Sequence, residues 1–182
     1  MNGTDLIITV VVVLAILGVV LGVVFAGRQR SKRLHTQFGP EYERAVQTTG
    51  NEKKAQTELD QRLKHVEKLK IRALSRSERE RYLADWSAIQ SKFVDEPGQA
   101  IVAADRLIME VMQVRDYPVS DFEQRAADVS VSYPALVSNY RAARVIALKN
   151  KQQQADTEEL RQAMLYYRSL FEELLETEAI AA

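Results

Sequence analysis

Three carboxylates between positions 115 and 134 are the residues of this chain best suited to chemistry. Asp121, Glu123 and Asp128 stand close together in the sequence. Neighbouring carboxylates perform acid–base chemistry, or bind a metal ion, when burial or a close like charge raises the pKa of one of them. The sequence shows neither condition, and Asp121 stands one helical turn before Arg125, a spacing that favours a surface ion pair. An enzyme based on these carboxylates is therefore the alternative and not the main prediction.

The same segment favours a second interpretation, a docking corner for a protein partner. Two Tyr-Pro pairs, Tyr117-Pro118 and Tyr133-Pro134, mark its ends as turns. A simpler account is a helix corner in which Ser120 and Glu123 form a capping box. The residues expected to contact a partner here are Tyr117, Asp121, Glu123, Arg125, Asp128 and Tyr133.

The remaining reactive residue types provide no catalytic centre. His35 and His65 have no companion at a metal-ligand spacing, and the chain has no cysteine for a thiolate, a disulfide or a Cys-ligated metal. Its glycines form no phosphate-binding loop. We therefore expect no catalysis, no cofactor and no bound metal. The 25 basic and 25 acidic residues cancel, which argues against nucleic acid as a partner.

The elements that must position these residues begin with an apolar segment. Residues 6–25 contain no charged residue. A helix rises about 1.5 Å per residue, so this segment is long enough to cross the roughly 30 Å hydrocarbon core of a bilayer. Residues 1–27 are therefore predicted to be a transmembrane anchor. A cleaved secretory signal fits poorly, because no Lys or Arg precedes the apolar segment and the segment is too long.

Basic residues directly after the apolar segment predict its orientation. They are Arg28, Arg30, Lys32 and Arg33. Lys and Arg beside a span are retained on the cytoplasmic side, so we expect the N-terminus outside and the remaining chain in the cytoplasm, below a bacterial inner (cytoplasmic) membrane. The same four side chains are expected to contact anionic lipid headgroups.

Small residues in the apolar segment predict a helix–helix contact. Gly18 and Gly22 form a G-x-x-x-G motif, and Ala26 extends the same face by another turn. Small residues at this spacing permit two helices to approach closely in a bilayer. The motif therefore makes a homo-oligomer a candidate assembly, with a single unpaired helix as the alternative.

The chain beyond Gly39-Pro40 repeats its apolar residues with a helical period, which predicts an all-α fold. Residues 28–74 are interpreted as a basic juxtamembrane segment and a helical stalk, in which Asn51 caps a helix with a narrow apolar stripe. Residues 75–182 are interpreted as a compact antiparallel helical bundle that begins at a capping box formed by Ser75 and Glu78.

Residues 129–133 alternate like a strand but have no second strand to pair with, and we interpret them as an extended link before a helix that begins at Pro134.

Particular residues are expected to form the core of this bundle. The predicted inward positions are Tyr82, Trp86, Ile89 and Phe93, then Ile101, Ala104, Ile108, Val111 and Met112, then Leu136, Tyr140, Ala143 and Ala147, and finally Leu160, Met164, Tyr167, Phe171 and Leu174.

Three stretches carry a resemblance to other proteins: QFGPEYERAV, ERYLADWSAIQSKFVDEPGQAIVAADRLI and YPVSDFEQRAADVSVSYP. Together they resemble an uncharacterised family of bacterial single-span membrane proteins with a helical body, sometimes labelled secreted or hypothetical. The resemblance covers most of the chain after the apolar segment. It implies a bacterial source and a shared helical body, but no activity, cofactor or catalytic residue.

The sequence therefore predicts a membrane-tethered helical interaction or scaffold module with no identifiable catalysis. Its expected partners are the lipid bilayer and a protein of unknown identity. A helical envelope protein with its bundle outside the cytoplasm is an alternative with the same fold.

Overall fold

The computed structural model describes residues 3–176, without the side chains of residues 3–12, 15, 20, 23 and 24. The described part of the chain forms eight α-helices and contains no strand, which confirms the predicted all-α class. In chain order the helices are α1 (Gly3–Phe38), α2 (Pro40–Thr49), α3 (Glu52–Val66), α4 (Arg76–Phe93), α5 (Pro97–Val114), α6 (Phe122–Ser132), α7 (Val137–Lys151) and α8 (Thr157–Glu176).

Helix α1 is a continuous helix of 36 residues that joins the apolar segment to the body of the protein. The described side chains of its apolar part, from Val13 to Phe25, are exposed, whereas Leu34 and Phe38 near its end are buried. Among the residues that the structure describes, no helix is long and apolar enough to cross a membrane. The predicted span, residues 6–25, lies partly outside the described side chains.

The end of α1 packs with α2 and α3 around a small core of its own. Two glycines with positive φ separate the helices, Gly39 at φ 50° and Gly50 at φ 63°. The predicted cap of α3 is confirmed, since the Asn51 side chain accepts a hydrogen bond from the Lys54 amide at 3.1 Å. The buried apolar residues of this small core are Leu34, Phe38, Tyr42, Ala45, Ala55 and Leu59.

The main core lies between α4, α5, α7 and α8, which supports the predicted helical bundle. Ser75 and Glu78 form the predicted capping box at the start of α4. The Trp86 ring stacks on the Phe171 ring with centroids 4.7 Å apart, which joins α4 to α8. The predicted inward residues lie in this core, where Ile89, Phe93 and Leu136 are only partly buried.

The segment predicted to be a stalk is packed against the bundle. Helix α3 contacts α6, and α2 contacts α7. Val66, Ile71 and Leu74, which precede the predicted boundary at residue 75, are buried in the main core. The narrow apolar stripe of α3 is buried, with Ala55 and Leu59 in the small core and Val66 in the main core. Polar side chains of the same helix contact α1, α2 and α6.

The predicted extended link at residues 129–133 is wrong. Residues 129–132 continue α6, and the Tyr133 amide donates to the Val129 carbonyl at 2.7 Å. Val129 is buried in the main core, so tertiary packing overrides the strand preference of its β-branched side chain.

The two ends of α6 also differ from the prediction. The cap is Asp121, whose side chain accepts from the Gln124 amide at 2.9 Å, and not Ser120. Pro134 lies in a turn, and the next helix begins at Val137.

Candidate functional site

An open polar pocket of about 620 Å³ lies where α2, α3, α6 and α7 meet. Asp121 and Glu123, two of the carboxylates predicted as site residues, line it. The structure therefore places part of the predicted docking corner at a concave surface. The charged residues that line the pocket are Arg44, Glu58, Arg62, Asp121, Glu123 and Arg141, together with His65.

Buried Glu41 holds the three arginines of this pocket in position. Only 2% of Glu41 is exposed, and it lies on the inward face of α2 with Ala45. One carboxylate oxygen, Oε1, lies 3.0 Å from Arg62 Nη1, 3.2 Å from Arg141 Nη2 and 3.4 Å from Arg44 Nη1. Because the arginines come from α2, α3 and α7, this carboxylate connects three helices. The buried carboxylate thus holds three guanidinium groups at the pocket through charge-assisted hydrogen bonds.

The outer carboxylates of the pocket pair with the same arginines. Glu58 Oε1 lies 2.6 Å from Arg62 Nη2, and Glu123 Oε2 lies 2.5 Å from Arg141 Nη1. Glu58 and Glu123 are 41% and 69% exposed at the side chain, whereas Arg62 and Arg141 are 11% and 12% exposed. The two outer carboxylates are therefore far more exposed to solvent than the arginines with which they pair.

Asp128 lies beside this pocket in a different environment. Its Oδ1 atom accepts a hydrogen bond from Gln124 Nε2 at 2.8 Å and lies 3.6 Å from His65 Nε2. Its Oδ2 atom is buried and has no hydrogen-bond partner among the described residues. Burial raises the pKa of Asp128, and the hydrogen bond from Gln124 and the positive charges of His65 and Arg62 oppose that rise. Asp128 thus meets the raised-pKa condition that the sequence alone did not show.

The other two carboxylates have structural partners. Asp121 caps α6 and Glu123 pairs with Arg141, so neither resembles Asp128 in its surroundings. Within the described part of the chain, no three His, Cys, Asp or Glu side chains form a group that could hold a metal ion.

Three of the predicted docking residues lie in the protein core and do not reach the pocket. Burial raises the pKa of the Tyr117 hydroxyl to about 12. Arg125 is buried and donates to the Val119 carbonyl at 3.0 Å. Tyr133 is buried, and its hydroxyl accepts a hydrogen bond from Arg115 Nη1 at 3.3 Å. The aromatic and cationic groups of this corner therefore support the fold, and the candidate site contains Asp121, Glu123 and neighbouring Asp128.

Sequence analysis missed the arginines, Glu41 and the position of His65. The sequence shows no companion for His65 at a metal-ligand spacing, and in the structure its side chain is 44% exposed and lies close to Asp128. One signal was present, because Glu41 stands four residues before Ala45 on the face of α2 that turns inward. A carboxylate on that face requires cationic partners, but α2 contains only Arg44.

The residues predicted to contact lipid lie on the surface of the protein, near the end of α1. Arg28, Lys32 and Arg33 are exposed, whereas Arg30 forms an ion pair with Asp60 of α3. The predicted helix–helix face is open in the single chain. A Cβ atom added at Gly18 or Gly22 would have no described atom within 4 Å, and Ala26 is exposed.

No protein-family model, no curated protein and no solved structure matches this chain. The resemblance to a bacterial single-span family stays a prediction.

Proposed function

We propose that this chain is a membrane-tethered helical interaction module at the cytoplasmic face of a bacterial inner membrane. The observation that carries the proposal is the continuity of α1. The same helix contains the apolar segment and contributes Leu34 and Phe38 to the small core. Insertion of the apolar segment would therefore attach the body to the bilayer through an uninterrupted helix.

A helical attachment has mechanical consequences that a flexible linker lacks. Ser31 of α1 is hydrogen-bonded to Glu52 of α3 at 3.0 Å, and Arg30 of α1 pairs with Asp60 of the same helix. These contacts hold α1 against α3, so an inserted α1 would set both the distance and the orientation of the body. Tethering a binding surface near a membrane raises the effective concentration of its partner there.

The pocket between α2, α3, α6 and α7 is the proposed docking site for a protein partner with an acidic segment. Arg62 and Arg141 are held by Glu41 on one side and pair with the exposed Glu58 and Glu123 on the other. Arginine presents a planar, bidentate cation that suits carboxylates. Carboxylates of the partner would replace Glu58 and Glu123 at these arginines.

Extraction and thiol labelling test the membrane assignment. The intact chain in isolated bacterial membranes should resist alkaline carbonate. Gln154→Cys, at an exposed position in a chain with no other cysteine, should react with an impermeant thiol reagent only after spheroplasts are lysed. Release by carbonate would contradict the anchor. Labelling before lysis would contradict the cytoplasmic location and favour the envelope alternative.

Paired charge variants test the docking site. In affinity capture with the intact chain, Arg62→Gln with Arg141→Gln should lose an identified acidic partner. Arg76→Gln with Arg168→Gln removes the same charge from exposed ion pairs outside the pocket and should retain that partner. Equal capture by both double variants would contradict docking at this site.

A second candidate function, a carboxylate-based enzyme, is favoured by one observation about Asp128. A buried carboxylate with a raised pKa beside a histidine has the features of a general acid. NMR titration of the intact chain tests this candidate. An ordinary pKa for Asp128 would contradict it, and a raised pKa that changes when a small molecule occupies the neighbouring pocket would support it.

A further inference from the structure

The first turn of α3 lies beside the segment of α1 that follows the apolar residues. Glu52 Oε1 accepts hydrogen bonds from Ser31 Oγ at 3.0 Å, from Tyr42 Oη at 2.9 Å and from Gln56 Nε2 at 3.0 Å. Ser31 belongs to α1, Tyr42 to α2 and Gln56 to α3. This one carboxylate therefore connects the start of α3 to both preceding helices.

The contact brings cations from two helices together. Arg28 and Lys32 of α1 and Lys53 of α3 line one shallow groove, which also contains Glu52. Lys54 follows Lys53 and is also exposed. Although Lys53 and Lys54 are more than twenty positions from Arg28 in the sequence, folding places them beside the basic end of the apolar segment.

These four cations form no ion pair with any residue that the structure describes. Arg30 differs from them because it pairs with Asp60. Glu52 contributes one opposing charge against the four positive charges. The groove and its edge therefore carry an excess of positive charge that the fold does not use internally.

The position of this groove along α1 can be compared with the dimensions of a bilayer. Ser31 follows the end of the apolar segment, Phe25, by six residues, which is about 9 Å of helix. The headgroup layer on each side of the hydrocarbon core is about 5 to 8 Å thick. With Phe25 at the edge of the hydrocarbon core, Ser31 and the first turn of α3 would lie at the outer surface of the headgroups.

We infer that the first turn of α3 is a second membrane-contacting element, in which Lys53 and Lys54 join Arg28 and Lys32 to bind the phosphates of anionic phospholipids. This inference rests on the proposed function, because the height of the groove above the bilayer depends on insertion of α1. Contact at α3 restrains rotation of the body about the axis of α1. The membrane then determines the direction that the docking pocket faces.

The electrostatic range supports contact at this height. Attraction between basic side chains and an anionic membrane surface acts within a Debye length, which is about 8 Å at physiological ionic strength. The four cations extend from the first turn after the apolar segment to the start of α3, and long lysine and arginine side chains reach further towards the phosphates.

Fluorescence quenching in vesicles tests the inference with the full chain. Thr57→Cys places the only cysteine one turn after Lys53 at an exposed position, and it is labelled there with bimane. The quencher is a nitroxide on a phosphatidylcholine headgroup. Quenching should be stronger in vesicles with about 30% phosphatidylglycerol than in vesicles of phosphatidylcholine alone, because the anionic lipid draws the first turn of α3 to the surface.

The increase in quenching caused by phosphatidylglycerol should depend on the salt concentration and on Lys53 and Lys54. Raising NaCl from about 50 mM to about 500 mM shortens the Debye length from roughly 14 Å to roughly 4 Å and should remove the increase. Lys53→Gln with Lys54→Gln removes two of the four cations and should reduce the increase by about half or more. Lys64→Gln with Lys68→Gln removes the same charge near the opposite end of α3 and should leave the increase unchanged.

Two results would overturn the inference. One is an increase in quenching with phosphatidylglycerol that is equal in the Lys53→Gln, Lys54→Gln variant and in the unmodified chain. The other is an equal loss of that increase in both double variants. Carbonate extraction of the same vesicles separates this failure from failure of the proposed function. A chain that resists extraction but shows either result contradicts only the α3 contact, whereas a chain that is extracted contradicts both proposals.

Discussion

Buried Glu41 of α2 and half-buried Arg141 of α7, a hundred residues apart in the sequence, form an ion pair in which Glu41 Oε1 lies 3.2 Å from Arg141 Nη2. The pair joins the first three helices to the bundle, and Arg62 of α3 contacts the same oxygen at 3.0 Å. The position of α2 and α3 on the bundle therefore depends on a buried carboxylate as well as on apolar contacts.

Removal of the Glu41 charge should destabilise the fold. Glu41→Gln leaves Arg62 and Arg141 close together without their shared anion, and we expect a loss of about 3 kcal/mol in the free energy of unfolding. Denaturant unfolding of the intact chain in detergent, followed by Trp86 fluorescence, measures the loss. Glu43→Gln is the control, because Glu43 is exposed in the same helix and should change stability by less than about 0.5 kcal/mol. Similar losses in the two variants would contradict the role of Glu41.

Replacement of Trp86 should show that α4 and α8 pack through aromatic rings. Trp86 is 5% exposed and stacks on Phe171, so Trp86→Ala should reduce the free energy of unfolding by about 3 to 5 kcal/mol. Circular dichroism is the measurement, because the variant lacks the fluorescent reporter. Leu83→Ala, on the exposed side of α4, should have a much smaller effect. A loss below about 1 kcal/mol for Trp86→Ala would contradict burial of this ring.

The start of α6 can be tested by two neighbouring substitutions. Asp121 caps the helix through the Gln124 amide, so Asp121→Ala should cost about 1 kcal/mol of stability. Ser120→Ala should cost less than about 0.5 kcal/mol, because the Ser120 side chain does not cap the helix. Denaturant unfolding compares the two variants, and a greater loss for Ser120→Ala would restore the capping box expected from the sequence.

The unmodified protein, which carries Asp128, should be less stable at neutral pH than the variant Asp128→Asn. Burial raises the pKa of the folded carboxyl above the ordinary value of 3.8, so the unfolded chain loses the proton first as the pH rises. The free energy of unfolding therefore falls between the ordinary pKa and the folded pKa, and the deficit persists at higher pH.

Asp128→Asn removes this titration. We expect the variant to be more stable than the unmodified chain at neutral pH, with the difference shrinking as the pH falls towards about 3.8. Unfolding curves across this pH range measure the difference, and Asp121→Asn, which keeps a capping side chain before α6, controls for replacing a carboxylate by an amide. A variant less stable than the unmodified chain at neutral pH would contradict a raised pKa.

Self-association through α1 can be tested in a bilayer reporter assay. Gly18→Ile with Gly22→Ile should weaken association, because branched side chains prevent close approach of two helices. Val19→Ile with Leu21→Ile is the control, since it keeps both glycines. An unchanged signal in the glycine variant would exclude this motif as the contact between copies of the chain.

Local signals in the sequence predicted most of the helices. Asn51 caps α3, and Ser75 with Glu78 begins α4, because capping hydrogen bonds join residues only three positions apart. The apolar faces of α5 and α8 were also predicted, since helical spacing places their buried residues on one side. Of the candidate site, the sequence indicated Asp121, Glu123 and Asp128 but not the residues that surround them.

Tertiary structure decided the features that depend on residues far apart. The strand-like alternation at residues 129–133 belongs to a helix, because Val129 packs into a core built by other elements. Glu41 meets Arg62 and Arg141, and His65 meets Asp128, only after α2, α3, α6 and α7 have packed together. Apolar periodicity and capping residues predict where one helix begins and which of its faces is apolar. The burial of a carboxylate and the identity of its partners depend on which faces of different helices meet.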